Sequence, residues 1–136
     1  MVEIRLKRDS GYKFIATNSD GKTAVLDGPT SIGGFGDGLR PMEMILMGLA
    51  GCSSFDLLSI LKKQRQIIDD LEIIVKGKRA ESIPAVYTDI FLLYKLKGKI
   101  DETKLKKALE LAVEKYCSVA EMLNKTAKIN WDYQLI

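Results

Sequence analysis

The sequence predicts a single α+β domain, spanning residues 1–136, with a largely antiparallel sheet. Three observations lead to this prediction: short segments of alternating apolar and polar residues at both ends of the chain, an uncharged helical run near residue 50, and an amphipathic helical repeat after residue 101. A chain of 136 residues is long enough to bury one core without disulfide bonds. Because no internal repeat or linker is visible, we expect one domain.

The first 26 residues predict three short strands. Val2, Ile4 and Leu6 alternate with charged residues, which indicates a half-buried strand. Turns at 9–11 and 18–21 then separate two further strands, predicted at 12–17 and 22–26. Segment 27–39 holds five of the eleven glycines and is predicted to be a loop. Its glycine spacing does not match GxGxxG, so no dinucleotide cofactor is expected.

A long helix is predicted from Pro41 to about Arg65, since proline is tolerated in the first turn of a helix. Residues 44–55 carry no charge, and we therefore expect the helix to be enclosed on nearly all sides. A membrane span is the rival interpretation. Asp56, Glu43 and three serines argue against it, so no membrane partner is expected.

Such a helix needs more cover than one chain of this length can supply. We therefore expect a homodimer in which two subunits share one core. Gly48 and Gly51 would allow close backbone approach, although they would also fit an ordinary crowded core.

The remaining residues predict two strands, a helix, a short helix and a last strand. The strands cover 71–79 and 86–97, and the second places Ile90, Leu92, Tyr94 and Leu96 on one face. Asp101 is expected to cap the helix, in which apolar residues recur at steps of three and four. These residues are Leu105, Ala108, Leu109, Ala112, Val113 and Tyr116. A short helix at 119–123 precedes the final strand, which begins near residue 127.

Composition narrows the possible chemistry. The net charge of +3 is spread along the chain, so nucleic acid is not an expected partner. The N-terminus lacks the features of a secretory signal, which predicts a cytoplasmic protein with reduced thiols. The chain has no histidine, and this removes imidazole bases and the usual zinc ligands. We therefore expect neither a metal nor a cofactor.

The two cysteines, Cys52 and Cys117, are the candidate reactive groups. A free cysteine is often only a small buried apolar residue. Cys52, however, follows Gly51 and precedes two serines, which leave space and hydrogen-bond donors beside a thiolate. A pair of thiols suits peroxide reduction, in which one thiol becomes a sulfenic acid and the other resolves it as a disulfide.

Two segments give the chain a family resemblance. GLRPMEMILMGLAGCSSFDLL and EKYCSVAEML resemble the OsmC/Ohr family of thiol peroxidases, and in particular its YhfA-like branch, in which P-x-E, L-x-G-C and an Asp four residues after the Cys recur. The resemblance covers essentially the whole chain. It implies an OsmC-like fold, an intertwined homodimer with two sheets wrapped around paired central helices, and a site at the subunit interface. It also implies reduction of small organic hydroperoxides, with a dithiol or lipoyl-type reductant.

The resemblance assigns the peroxidatic role to Cys52 and the resolving role to Cys117. Where the peroxidases have Glu after the helix-opening Pro, this chain has Met42, and Glu43 comes one residue later. Glu43 and Cys52 are nine residues apart and point to opposite sides of a regular helix, so Glu43 would reach the site only through a distorted first turn. The alternative is an acid that stabilises the helix N-terminus.

Three further residues are candidates for the site. Arg8 and Arg40 could each stabilise the thiolate, although either could equally be a solvated surface residue. Asp56 lies one turn after Cys52, where it would raise the thiol pKa unless it instead orients an arginine. Ser118 stands where the family's second Cys is commonly followed by Pro, which makes the local geometry there uncertain.

The expected function is that of an antioxidant, stress-response peroxidase in which apolar residues such as Ile45, Leu49 and Phe55 favour an alkyl peroxide. A stress-related dimer that binds a small apolar ligand with little turnover is the alternative, and Met42 favours it. A structural dimer with inert cysteines is a third interpretation.

Overall fold

The computed structural model describes all residues, 1–136, and has the mixed α and β composition that the sequence predicts. Two compact units divide the chain: unit 1 is Met1–Ile45 and unit 2 is Leu46–Ile136. The long helix α1 (Pro41–Lys63) begins in unit 1 and continues through unit 2. Each unit contains one three-stranded sheet.

Unit 1 is an antiparallel meander of β1 (Ile4–Ser10), β2 (Lys13–Asn18) and β3 (Thr23–Leu26), in that spatial order. The three predicted strands are confirmed. The prediction that the first is half-buried is wrong within this chain, because Ile4 and Leu6 are 58% and 54% exposed. β1 is an edge strand, and no other part of unit 1 covers it.

The predicted glycine-rich loop at 27–39 is confirmed, with one 3₁₀ turn at Thr30–Ile32. Only glycine fits at position 34, because a Cβ there would collide with the carbonyl oxygen of Gly28. The backbone amide of Asp27 donates to the carbonyl of Leu39 at 3.1 Å, which brings the two ends of the loop together.

The sheet of unit 2 contains β4 (Ile67–Arg79), β5 (Tyr87–Lys99) and β6 (Lys128–Leu135), in that order. β4 begins four residues earlier than predicted and pairs with β5 antiparallel, whereas β6 pairs with β5 in parallel. The buried face predicted for the strand at 86–97, which is β5, is confirmed. Its members, Ile90, Leu92, Tyr94 and Leu96, are all at most 1% exposed.

The helix α1 starts at Pro41 as predicted and ends two residues before the predicted Arg65. The expectation of nearly complete enclosure is wrong within one chain, because Phe55 is 73% exposed. The buried positions form one stripe: Leu49, Ser53, Leu57 and Leu61. By length and composition alone the helix would also be able to cross a membrane, with a mean hydropathy of 1.8 over its most apolar window.

The helical region after β5 has three parts: α2 (Glu102–Leu109), a π-helix (Glu110–Tyr116) and α3 (Ser118–Leu123). Asp101 caps α2 as predicted, with its carboxylate accepting from the backbone N–H of Lys104 at 2.9 Å. The prediction of one regular helix through residue 116 is wrong, because the wider π-helix replaces its last turns. All the predicted apolar positions except Tyr116, which is 52% exposed, are buried.

Candidate functional site

Three of the six predicted site residues lie together in unit 2. The sulfur atoms of Cys52 and Cys117 and a carboxylate oxygen of Asp56 are all within 4.8 Å of one another. Cys52 and Asp56 are one turn apart on α1, so both project from the same side of the helix. Cys117 reaches them from the residue between the π-helix and α3. The chain thus brings its only two thiols into one cluster.

Cys52 occupies the accessible side of this cluster. Its side chain is half-buried rather than sealed in the core. A small molecule can therefore approach its sulfur from solvent, which is a requirement for a reactive cysteine.

Cys117 is held on the interior side and is only 2% exposed. Its backbone N–H donates to the carbonyl of Ala112 at 3.0 Å, and its sulfur accepts from the backbone N–H of Ala120 at 3.4 Å. Burial raises the pKa of the Cys117 thiol to about 11, with the neighbouring Cys52 adding to the rise and the Ala120 hydrogen bond opposing it. Cys117 is therefore a protonated thiol at neutral pH.

Asp56 places a carboxylate next to both sulfur atoms. It takes part in none of the salt bridges of the structure. On its other side Asp56 borders an open cleft of about 380 Å³, to which Lys63, Gln64 and Tyr116 also contribute.

A buried hydrogen bond beside Cys52 was not predicted from the sequence. The hydroxyl oxygens of Ser53 and Tyr94 lie 2.6 Å apart, and both side chains are fully buried. Burial raises the pKa of Tyr94 to about 12, the Ser53 hydrogen bond opposes the rise, and a thiolate at Cys117, formed only at high pH, would add to it. This pair joins α1 to β5. Only the register between helix and sheet could have revealed it, and the sequence pattern does not give that register.

The two candidate arginines are both in unit 1. Arg8 is exposed, and its Nε donates to the carbonyl of Gly11 at 2.7 Å. Arg40 is half-buried, and its guanidinium donates to the carbonyls of Asp27 and Gly38, each at 3.2 Å. Both side chains are therefore held against backbone of unit 1. Their role as thiolate partners stays a prediction.

Glu43 has a structural role at the start of α1. Its Oε1 accepts from the backbone N–H of Arg40 at 2.8 Å, which satisfies a donor that the helix leaves free. The helix is α-helical from Pro41 onward, so the distorted first turn that a catalytic Glu43 would require is not seen. The observed contact of Glu43 is therefore the one expected of an acid that stabilises the N-terminus of α1. A catalytic role for Glu43 stays an untested prediction.

Asp27 organises the glycine-rich loop at 27–39, a role that was not predicted from the sequence. Its buried carboxylate accepts backbone N–H groups from Gly28, Phe35 and Asp37 at 2.7, 3.1 and 3.2 Å. Burial alone would raise the pKa of Asp27, but these three hydrogen bonds and the charge of Arg40 outweigh it and lower the pKa. An Asp-Gly pair at the start of a glycine-rich loop was the available signal.

Comparison with known proteins places this geometry in a family. Residues 34–132 match the family described as OsmC-like protein. Protein YhfA of Escherichia coli K12 is 35% identical over 137 residues, which cover 99% of this chain and 98% of YhfA.

Solved structures have the same fold. A hypothetical protein of Aquifex aeolicus VF5 is 36% identical with a TM-score of 0.84, over 100% of this chain and 98% of that one. An organic hydroperoxide resistance protein OsmC of Legionella pneumophila has a TM-score of 0.76 over 98% of this chain and 96% of its own, at 14% identity. These two structures share its fold, and the sequence matches show that the chain belongs to the OsmC family.

Proposed function

We propose that this protein is a thiol-dependent peroxidase that reduces organic hydroperoxides. The observation that carries the proposal is the pairing of a half-exposed Cys52 with a buried Cys117, whose sulfur lies within 4.8 Å of the first. The Legionella pneumophila protein of the same fold is named for organic hydroperoxide resistance, which supports the choice of substrate class.

The first step is attack by the Cys52 thiolate on a peroxide oxygen. A sulfur–oxygen bond forms as the oxygen–oxygen bond breaks, and the alkoxide that leaves takes a proton to become an alcohol. Cys52 is then a sulfenic acid, oxidised by two electrons, and the hydroperoxide has been reduced.

The second step is resolution by Cys117. Its sulfur attacks the sulfenic sulfur of Cys52, its proton leaves with the departing hydroxide as water, and a disulfide remains. A dithiol such as a lipoyl group then reduces this disulfide by exchange and becomes oxidised itself. Because the pKa of Cys117 is about 11, this thiol is protonated and weakly nucleophilic at neutral pH, which leaves the attack on peroxide to Cys52.

Arg8 and Arg40 are the proposed sources of positive charge, as a guanidinium favours the thiolate form of a nearby cysteine. Arg8→Met and Arg40→Met each remove one candidate. The variant that raises the pH at which Cys52 reacts with a thiol reagent identifies the activating residue.

The proposed functional unit is a homodimer. Gly48, Gly51, Phe55 and Leu58 follow one another at helical steps on the side of α1 opposite its buried stripe. Phe55 is 73% exposed, Leu58 is 39% exposed, and a Cβ added at either glycine would meet no other group. A second copy of the same helix would cover this surface, with the glycines permitting close approach.

Cys52 lies beside this surface on the helix, so the substrate would bind near the seam between subunits. The apolar lining predicted from Ile45, Leu49 and Phe55 is not formed within one chain, since Leu49 is fully buried, whereas Ile45 and Phe55 are 38% and 73% exposed. Phe55 from a dimer interface would supply an apolar contact for an alkyl peroxide.

Asp56 supports a second candidate function, in which the dimer binds a small apolar ligand with little turnover. Its carboxylate lies within 4.8 Å of both sulfur atoms, and no salt bridge neutralises it. An assay of hydroperoxide consumption distinguishes the two functions, because a binding protein with little turnover would leave the peroxide unconsumed.

That assay follows the consumption of cumene hydroperoxide in the presence of dithiothreitol or dihydrolipoamide. We expect turnover by the wild type, loss to background in Cys52→Ser, and in Cys117→Ser a reaction that depends on attack by the external dithiol. Thermal melting checks that both variants are folded. Equal consumption by wild type and Cys52→Ser would show that the peroxidase proposal is wrong.

A further inference from the structure

The cluster of two thiols and one carboxylate has the composition of a metal site as well as that of a redox pair. Its three ligand atoms come from Cys52, Asp56 and Cys117 and lie within 4.8 Å of one another. In a tetrahedral zinc site the metal–sulfur and metal–oxygen distances are about 2.3 and 2.0 to 2.2 Å, so neighbouring ligand atoms are roughly 3.5 to 4 Å apart. Shifts of about an ångström would bring the three atoms to that spacing.

We propose that the reduced protein binds one Zn²⁺ per chain through Cys52, Asp56 and Cys117. The absence of histidine predicts no metal, because it removes the usual zinc ligands, but two cysteines and a carboxylate that meet in the fold can supply ligands without histidine. The proposal rests on the cluster itself and does not require peroxidase activity.

The donor set selects the metal. Thiolates favour soft or borderline ions, and a carboxylate adds a hard oxygen ligand, a mixture that Zn²⁺ accepts readily and Cu⁺ does not. Three protein ligands leave a fourth tetrahedral position, which water can occupy on the exposed side of Cys52.

Electrostatics also favour a dication in the cluster. With both thiols ionised, the three side chains would place three negative charges within 4.8 Å of one another. Asp56 forms no salt bridge that would offset them. A zinc ion would replace the two thiol protons and make the carboxylate, which opposes a lone thiolate, a favourable neighbour.

The backbone around the cluster holds the ligands in place. Cys52 and Asp56 are four residues apart on one helix, a spacing that directs two ligands to one point. Cys117 is fixed by its N–H bond to Ala112, and its sulfur accepts from the N–H of Ala120, as outer-shell donors do for metal-bound thiolates. Bound zinc would occupy both sulfur atoms, so it would protect them from peroxide and stop turnover.

The test is equilibrium dialysis of the reduced, chelator-treated protein against zinc sulfate, with zinc measured by atomic emission. We expect one zinc per chain in the wild type. Affinity should fall by at least about tenfold in each of Cys52→Ser, Cys117→Ser and Asp56→Asn, the lower end of what the loss of a supporting group costs. Asp69→Asn, which alters an exposed acid on β4, is the matched control and should bind as the wild type does.

A second measurement keeps the test decisive if one variant misfolds. Titration of the wild type with Cd²⁺ should produce ultraviolet thiolate-to-metal absorption from two sulfur ligands, and diamide oxidation to the disulfide should abolish both this absorption and zinc binding. No zinc uptake by the reduced wild type would overturn the proposal, as would unchanged affinity in Asp56→Asn or in both cysteine variants. Because neither measurement uses peroxide, and turnover is assayed on metal-free protein, failure of this proposal and failure of the peroxidase proposal are separate results.

Discussion

The hydroxyl groups of Ser53 and Tyr94 form a buried hydrogen bond of 2.6 Å that joins the long helix to the middle strand of its sheet. Ser53 also lies 3.2 Å from the carbonyl oxygen of Ala50, the group to which its single proton is donated. Tyr94 is therefore the donor in the pair. Since Ser53 is next to Cys52, this bond fixes the helix where the Cys52 thiol projects from it.

Ser53→Ala should destabilise the protein more than Tyr94→Phe does. Removing the serine hydroxyl leaves the buried tyrosine hydroxyl without a partner, at a cost of about 1 to 3 kcal/mol, whereas Tyr94→Phe removes one net hydrogen bond worth about 0.5 to 1.5 kcal/mol. Urea unfolding of both variants and of the double variant gives the comparison. Equal losses would contradict the expected order, and additive losses in the double variant would show that the two hydroxyl groups do not interact.

The two thiols should react with iodoacetamide in a fixed order. Near pH 7 the half-exposed Cys52 should be alkylated first, because burial and a pKa of about 11 keep Cys117 protonated and shielded. The rate at Cys117 should rise as the pH approaches 11. Peptide mass spectrometry after timed alkylation measures both rates, and preferential labelling of Cys117 near neutrality would show that this description of the site is wrong.

Asp27→Asn should destabilise the glycine-rich loop at neutral pH, since an amide cannot replace a carboxylate that accepts three backbone N–H groups. The folded-state pKa of Asp27 is lowered, so its contribution is present above the ordinary value of 3.8 and is lost as the pH falls through the lowered pKa. Denaturant unfolding should therefore show a difference between wild type and variant that shrinks in acid.

Asp37→Asn is the matched control for this loop. Its exposed carboxylate makes only a 3.6 Å contact with Lys13, so a change of less than about 1 kcal/mol is expected. A loss as large as that of Asp27→Asn, or a constant Asp27→Asn deficit down to the lowest pH, would argue against the proposed role of Asp27.

Phe55→Asp should dissociate the proposed homodimer, because it places a charge in the middle of the exposed apolar surface of α1. Sedimentation velocity should show a dimer for the wild type and a shift to monomer for this variant. Met122→Asp makes the same kind of change at a residue 74% exposed on α3 and should leave the dimer intact. Sedimentation of the wild type as a monomer would show that the proposed homodimer is wrong.

Much of the fold was predictable because local pattern and local structure agree. Period-two alternation identified the strands, the buried face of β5 and the final strand, and Asp101 marked the start of α2. The parallel pairing of β6 with β5 was not predictable from pattern, since alternation gives a strand its faces but not its neighbour or direction. The π-helix before Cys117 was also missed, because apolar residues at steps of three and four predict a helix without distinguishing its α from its π hydrogen-bond pattern.

The site was predictable in part. Cys52 and Asp56 share a helix face by simple spacing, but the approach of Cys117 depends on tertiary packing, and only the chemistry of a thiol pair and the family resemblance suggested it. The exposure of side chains on α1 was the feature that the sequence predicted least well. An uncharged helix indicates burial somewhere, and the pattern cannot say whether the same chain or another copy provides the cover, as Phe55 illustrates.

Intact-mass spectrometry after one equivalent of an organic hydroperoxide tests the central claim most directly. The wild type should lose two hydrogens as a disulfide forms between Cys52 and Cys117, and Cys117→Ser should instead gain one oxygen as the sulfenic acid of Cys52. A wild-type mass that does not change, or a disulfide that joins any other pair of sulfur atoms, would contradict the account.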